Sequence, residues 1–251
     1  MSETASTGSL PLQRLGARDY RDAVAKIRRT RLHPRRTDPL YLHLRRIRDD
    51  LRAVIGRLDV TDVLDVFCGA RPYEPLFSQE VRYVGFDVDD AYGCADVVSE
   101  HFLPFPSESF DLCLCTQSFY FLPDAAAAIG ELRRVLRPGG HLLLTQPIVY
   151  PGTERLYTGP QLRELLADGW DDLEIIESGG TIVSIATLLA YVLHQIEKRL
   201  PRRARAAFAG AYFAGNVAAE VGDVLERRFL SSADTLPANL LVHATRPRRS
   251  D

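Results

Sequence analysis

The chain has 251 residues, 46% of them hydrophobic and 25% charged. That balance excludes wholesale disorder and suits one substantial folded core. The formal charge is only -2, which excludes a uniformly polyanionic or polycationic chain. The charge is unevenly spread: residues 1–60 hold fourteen Lys or Arg against seven Asp or Glu, and residues 61–130 hold two against twelve. A basic arm for nucleic acid or membrane phosphate would give that asymmetry. An arginine-rich helical cap beside an acidic nucleotide domain gives it equally, and is the reading preferred here.

Residues 1–16 are small and polar and read as a mobile terminus. Residues 18–32 form a basic helix, and a proline-containing break follows at 34–39. Leu40, Leu44, Ile47, Leu51, Val54, Ile55 and Leu58 then recur at helical spacing with arginines between them. This predicts an amphipathic helix that covers the substrate side of the core. From residue 61 short apolar runs alternate with helical stretches: strands at 63–66, 81–86, 94–98, 110–115 and 141–145, and a helix at 124–136 with Asp124 as N-cap. Such alternation predicts parallel strands joined by right-handed crossovers, helices on both faces, and a ligand cleft beyond the carboxyl ends of the strands.

A helix at 161–167, a strand near 173–177 and two long helices at 182–193 and 204–230 complete the chain, with a last strand at 240–244. Because its route passes through the helical insert, this strand is expected to enter the sheet edge antiparallel to the rest. The expected fold is therefore α/β, a Rossmann-like doubly wound seven-stranded sheet with an antiparallel last strand. Its divisions are an N-terminal arm and helical cap over 1–58, and a domain over 59–251 that includes a helical insertion at 181–233. Neither apolar run reaches the length that crosses a bilayer. The greasy helices suit a peripheral membrane contact, an acceptor pocket or a dimer surface, so monomer and homodimer both stay open.

Four cysteines stand at 68, 94, 113 and 115. Cys113 and Cys115 fall on one side of a strand with parallel side chains, a poor disulfide geometry. No secretory leader is read, so reduced thiols and a cytoplasmic location are expected. No partners follow the Cys-Leu-Cys pair at ligand spacing, and no metal is expected.

The chemistry begins at residues 65–71 (Asp-Val-Phe-Cys-Gly-Ala-Arg). A strand running into a tight loop at a helix N-terminus presents backbone N–H groups to a polar ligand, and Gly69 is the residue suited to close approach or positive φ. Asp65 is expected to accept hydrogen bonds from this loop or from a cationic ligand. Asp87, twenty-two residues later, closes the second strand, where a carboxylate can accept both hydroxyls of a ribose.

Residues 63–69 (Val-Leu-Asp-Val-Phe-Cys-Gly), 83–89 (Tyr-Val-Gly-Phe-Asp-Val-Asp), 103–111 (Leu-Pro-Phe-Pro-Ser-Glu-Ser-Phe-Asp) and 136–144 (Leu-Arg-Pro-Gly-Gly-His-Leu-Leu-Leu) together resemble the class I S-adenosylmethionine-dependent methyltransferases, over roughly residues 60–177. The resemblance implies S-adenosylmethionine as cofactor. Its methionine part would lie on the loop of Asp65, Phe67, Cys68, Gly69 and Ala70, and its ribose on Asp87 beside Val88. Its adenine amino group would face an acidic residue, Glu100 or, one alternative, Asp96; Gln117 would sit near the sulfonium. The family commonly carries three glycines in the first loop, whereas here Phe67 and Arg71 occupy the outer two positions. The Cys-Gly-x-x-Pro-Tyr form at 68–73 is similar to a variant within the family. Tyr120, Tyr150 and Tyr157 are candidates to order an acceptor, and His33 or His101 to relay a proton.

The expected activity is methyl transfer to oxygen, nitrogen or carbon of a small-molecule or lipid-like acceptor. The rivals are a nicotinamide-dependent oxidoreductase and a nucleic-acid-associated methyltransferase or binding protein. The basic segment is the main feature favouring the latter, and no stacking motif accompanies it.

Overall fold

A computed structural model describes residues 17–148, 155–231 and 235–248. Seven strands, β1 (Asp62–Val66), β2 (Arg82–Asp87), β3 (Val97–Val98), β4 (Phe110–Thr116), β5 (Leu136–Pro147), β6 (Asp171–Ser178) and β7 (Asn239–Thr245), form one sheet in the order β3-β2-β1-β4-β5-β7-β6. The first five pair parallel, and β7 runs antiparallel to both neighbours. The last strand thus lies one place inside the edge and not at it, because β6 pairs on its outer side.

Period-two alternation splits the core into two layers. On one face Val63, Leu112, Leu114, Leu143 and Leu241 pack against α2 (Tyr41–Ile55) through Ile47, Leu51, Val54 and Ile55. On the other, Leu64, Val66, Cys113, Cys115, Leu142 and Leu144 meet Ile129 and Leu132 of α3 (Ala125–Val135) and Leu162 of α4 (Gly159–Leu165). Cys113 and Cys115 do share a face, and all four cysteines are free. Asp124 caps α3 through the Ala127 N–H at 2.9 Å.

Two local expectations are corrected. The loop after β1 opens into no α-helix: residues 72–81 hold only a 3-10 turn, Glu74–Leu76. Pro75 sits in the first turn, a place proline tolerates, and the chain leaves helical geometry at Phe77, whose backbone is extended. Tyr73 is drawn into the layer beneath α2, beside Leu32 and Ile47. The Arg137-Pro-Gly-Gly run is not a break before a short strand but the start of a longer one, β5, with a register shift opposite residues 110–112.

The remaining helices make a roof. α1 (Ala17–Leu32) precedes α2, and α5 (Thr181–Arg199) and α6 (Arg202–Phe229) form a hairpin. Much of the basic charge of the first sixty residues is neutralised inside the fold. Arg36 and Arg45 pair with Glu220, and Arg46 pairs with the buried Asp223, all on α6. Glu226 of α6 accepts the free N–H groups of Thr181 and Ile182 at 2.6 and 2.9 Å, an anion at the positive end of α5. Gly180 permits this approach, since a Cβ there would stand 2.6 Å from the Glu226 carboxyl carbon. Among the described residues no helix is long and apolar enough to cross a membrane.

Candidate active site

The carboxyl ends of β1, β2 and β4 face a cavity of about 710 Å³. Its floor is the loop after β1, in which Phe67, Gly69 and Arg71 have φ of 57°, 49° and 50°. The two non-glycine residues therefore keep the left-handed conformation that glycine favours, at a strain of about 1–3 kcal/mol each. Specific contacts hold them there. The Phe67 ring stacks on Phe102 at 5.9 Å and tilts against Phe86 at 6.1 Å. The Arg71 guanidinium lies 5.0 Å over the Tyr83 ring and donates to Tyr83 O, Glu74 Oε1 and Asp96 Oδ2 at 2.9, 3.0 and 2.8 Å. Backbone bonds complete the loop: Cys68 N–H donates to Phe86 O and Arg71 N–H to Cys68 O.

Asp87 ties the loop to β2. Its Oδ2 accepts Gly69 N–H at 3.0 Å and its Oδ1 accepts Val88 N–H at 2.9 Å. Partial burial raises its pKa, and those two bonds oppose the rise. Of the residues singled out in the sequence, Phe67, Cys68, Gly69, Ala70, Asp87, Val88 and Gln117 line this one cavity.

Asp65, Glu100 and Asp96 do not. Asp65 is 1% exposed and accepts Tyr83 Oη at 2.6 Å, while its Oδ1 has no partner. Burial lifts its pKa to about 7 against the pull of Tyr83 and Arg71. The bond expected from the loop thus comes from β2 instead, because the Tyr83 hydroxyl reaches Asp65 across the paired strands. Asp96 accepts Gly85 N–H and Arg71, a structural use. Glu100 is exposed. His33 and His101 are exposed as well. Tyr157 packs on Phe119 at 5.6 Å, and Tyr150 lies outside the described residues.

A second cavity, about 470 Å³, adjoins the first, and Arg31, Gln117 and Phe121 line both. Leu40, His43 and Leu44 of α2, Tyr120, and a face of α5 from Ser184 to Lys198 enclose it. The Gln117 amide nitrogen donates to Thr145 Oγ1 at 3.2 Å and Asn239 Oδ1 at 2.7 Å, with its backbone at φ 57°. His43 is 9% exposed. Burial and the nearby Arg31 push its pKa down to about 4, against a hydrogen bond with Gln117, and its Nδ1 has no partner. Sequence reasoning missed Arg31, His43 and Tyr92, and nothing local to Arg31 or His43 announces a cavity.

Residues 64–144 match the family model of a methyltransferase domain. Over 116 residues the chain is 31% identical to 27-O-demethylrifamycin SV methyltransferase of Amycolatopsis mediterranei (strain S699), covering 45% of this chain and 37% of that protein. Over 49 residues it is 41% identical to aklanonic acid methyltransferase DauC of Streptomyces sp. (strain C5), covering 20% and 22%. The chain thus spans little more than a third of the first relative and about a fifth of the second. Among solved structures, the (4+2)-cyclase SpnF superposes with a TM-score of 0.50 at 21% identity, over 80% of this chain and 82% of that one. Phosphoethanolamine N-methyltransferase 2 of Haemonchus contortus, in complex with S-adenosyl-L-methionine, gives 0.50 at 17% identity over 80% and 53%. These two structures share the fold, which does not by itself select a reaction.

Proposed function

We propose that this chain, whose residues 64–144 match the model of a methyltransferase domain, is a class I S-adenosylmethionine-dependent methyltransferase that methylates a small molecule held in the smaller cavity. The observation that carries the reading is the pairing of two features at one cleft. The Asp87 carboxylate lines it, and the loop beside Asp87 leads into no α-helix. A dinucleotide pyrophosphate is normally held at a helix N-terminus, so the missing helix disfavours the nicotinamide reading. A nucleoside with a cationic sulfonium suits a cleft that carries Asp87 and Asp89.

The cofactor supplies an electrophilic methyl group on that sulfonium. Asp87 would accept hydrogen bonds from the ribose hydroxyls, and Phe67, Cys68, Gly69, Ala70 and Val88 would form the wall beside it. Asp65 acts beneath the loop, through Tyr83 and the arginine stacked on it. Asp96 is occupied, and Glu100, the other acidic residue considered for the adenine amino group, stands exposed outside the cavity lining. Gln117, shared by both cavities, stands where donor and acceptor meet, and enclosing them together lowers the barrier by positioning and by exclusion of water. The cap over 1–58 and the insertion over 181–233 differ from the rest in role: they supply the acceptor walls. A small molecule as acceptor is supported by the cavity's size. The pairing of Arg36, Arg45 and Arg46 with α6 takes three of the basic groups out of the charge on which the nucleic-acid reading draws.

Separate calorimetric titrations with S-adenosylhomocysteine and NADH test the assignment. Saturable binding of S-adenosylhomocysteine alone is expected; binding of NADH alone would replace this reading with the oxidoreductase.

A further inference from the structure

We infer that the outward face of the α5–α6 hairpin docks on an anionic phospholipid surface, its apolar side chains entering the acyl boundary and its arginines meeting the phosphates. The inference stands independently of the methyl-transfer reading.

The hairpin's own contacts define that face. α6 turns Asn216 to the carbonyls of Arg36 and Asp38, at 2.8 and 3.0 Å, and turns Glu220 and Asp223 to the arginines of α2. It meets α5 through Tyr212, whose hydroxyl donates to Glu197 at 2.9 Å, and through Gly222 against Ile182. The acidic residues of 181–230 are Glu197, Glu220, Asp223 and Glu226, and all four are engaged in these contacts or at the start of α5.

What is left on the outside is apolar. Of the fifteen large hydrophobic side chains that stand exposed among the described residues, eleven belong to this hairpin. On α5, Ile185, Leu189, Val192 and Ile196 recur at intervals of three or four and are 47–60% exposed, which makes them one stripe. α6 carries no charged residue from Ala207 to Ala219, and Phe213, Val221, Val224 and Leu225 are 50–59% exposed along it. An apolar patch of this extent marks an interaction surface.

Charge selects the partner. Arg199 follows Ile196 by three residues and so continues the α5 stripe, while Arg203 and Arg228 stand near the two ends of α6; all three are exposed. Residues 203 and 228 are separated by about seven helical turns, which sets both on the side of α6 that carries Val221 and Leu225. A second copy laid on this face would bring arginine against arginine. Antiparallel pairing of α6 sets Arg203 opposite Arg228, parallel pairing sets each opposite itself, and the hairpin has no unengaged acid to place between them. Anionic headgroups meet the same rim with opposite charge, and the long arginine side chains can reach them while the apolar stripe lies deeper. Neither helix is long and apolar enough to span a membrane, so the pair would lie along the interface. Leu188, beside the α5 stripe, is exposed and also lines the smaller cavity. Docking on this face therefore turns a wall of that cavity toward the lipid.

Flotation of the full chain with vesicles of phosphatidylcholine, alone or mixed with phosphatidylglycerol, tests the inference. The chain should bind the mixed vesicles at least about tenfold more tightly than the neutral ones, and added salt should weaken that binding. Arg203→Gln with Arg228→Gln should cost about tenfold or more, at about fivefold for each arginine. Leu189→Glu with Leu225→Glu should abolish flotation, because it sets carboxylates in the apolar face. Both positions are exposed, and unchanged thermal unfolding would confirm that the variant folds. Arg52→Gln with Arg163→Gln, the same loss of charge at exposed positions on α2 and α4, should leave binding unchanged. No binding to the mixed vesicles, equal binding to both kinds, or an indifferent Leu189→Glu with Leu225→Glu variant would overturn the inference. A dimer in sedimentation velocity that this variant dissolves would assign the face to a second copy and overturn it equally.

Discussion

The strand-end cleft and the helical roof solve the problem of placing polar groups in different ways. The cleft is built from neighbouring strand ends, so its functional groups sit within a few residues of one another in each loop, and bonds from backbone N–H groups, such as Gly69 N–H to the Asp87 carboxylate, fix them. The roof gathers α1, α2, α5 and α6 from both ends of the chain, and side-chain pairs hold it: Arg45 with Glu220, Arg46 with Asp223, and Glu226 at the start of α5. On the proposed function, cofactor recognition is a local property of this chain and acceptor recognition a tertiary one.

That contrast can be broken or sharpened by perturbing buried polar groups on each side. The largest effect is expected beneath the cleft. The folded pKa of Asp65, about 7, stands above its ordinary 3.8. Its contribution to stability is therefore present below pH 3.8 and lost as pH rises to about 7. Asp65→Asn removes the titration, so denaturant unfolding should find the variant more stable at pH 8 by up to about 4 kcal/mol, with the difference vanishing towards pH 4. Equal stabilities at pH 8 would show that the carboxylate is compensated in the fold.

His43, at the roof's junction with the cleft, has the opposite sign. Its folded pKa of about 4 lies below 6.5, so the unfolded chain binds the extra proton and stability falls as pH drops from 6.5 towards 4. Relative to His43→Leu, the wild-type chain should lose up to about 3 kcal/mol across that window. Parallel pH profiles of the two chains would contradict the buried neutral imidazole.

The smallest effect belongs to the roof alone. Glu226→Gln keeps an acceptor for the N–H groups of Thr181 and Ile182 but removes the anion from the helix end, at about 1 kcal/mol. Thermal unfolding should shift by about 2–4 °C, with S-adenosylhomocysteine binding unaffected.

The same contrast governs what could be read from the sequence. Short apolar runs located the strands, and the antiparallel sense of β7 followed from its route. Its place inside β6 did not, because strand order depends on which edge is left unpaired. The Phe67 and Arg71 positions looked like departures from a glycine loop. The structure keeps the glycine-like backbone and meets its strain with Phe102 and Tyr83, partners thirty-five and twelve residues away. The α-helix expected after that loop is replaced by one 3-10 turn that ends at Phe77, while Tyr73 is drawn into the layer beneath α2. Asp65 illustrates a different limit: its acidity at a strand end was legible, but its partner on the neighbouring strand was not. His43 and Arg31 were illegible as site residues because their meaning comes from Gln117 and from α5, which lies about 140 residues further on.

The central claim is that the Asp87 carboxylate and the Gly69 loop form one cofactor edge. Calorimetric titration of S-adenosylhomocysteine into the wild-type chain and Asp87→Ala tests it most directly. The wild-type chain should bind saturably, and the variant should lose about 10- to 100-fold in affinity, the worth of a charge-assisted pair of hydrogen bonds. Equal affinity in the two chains, at equal stability, would contradict the account.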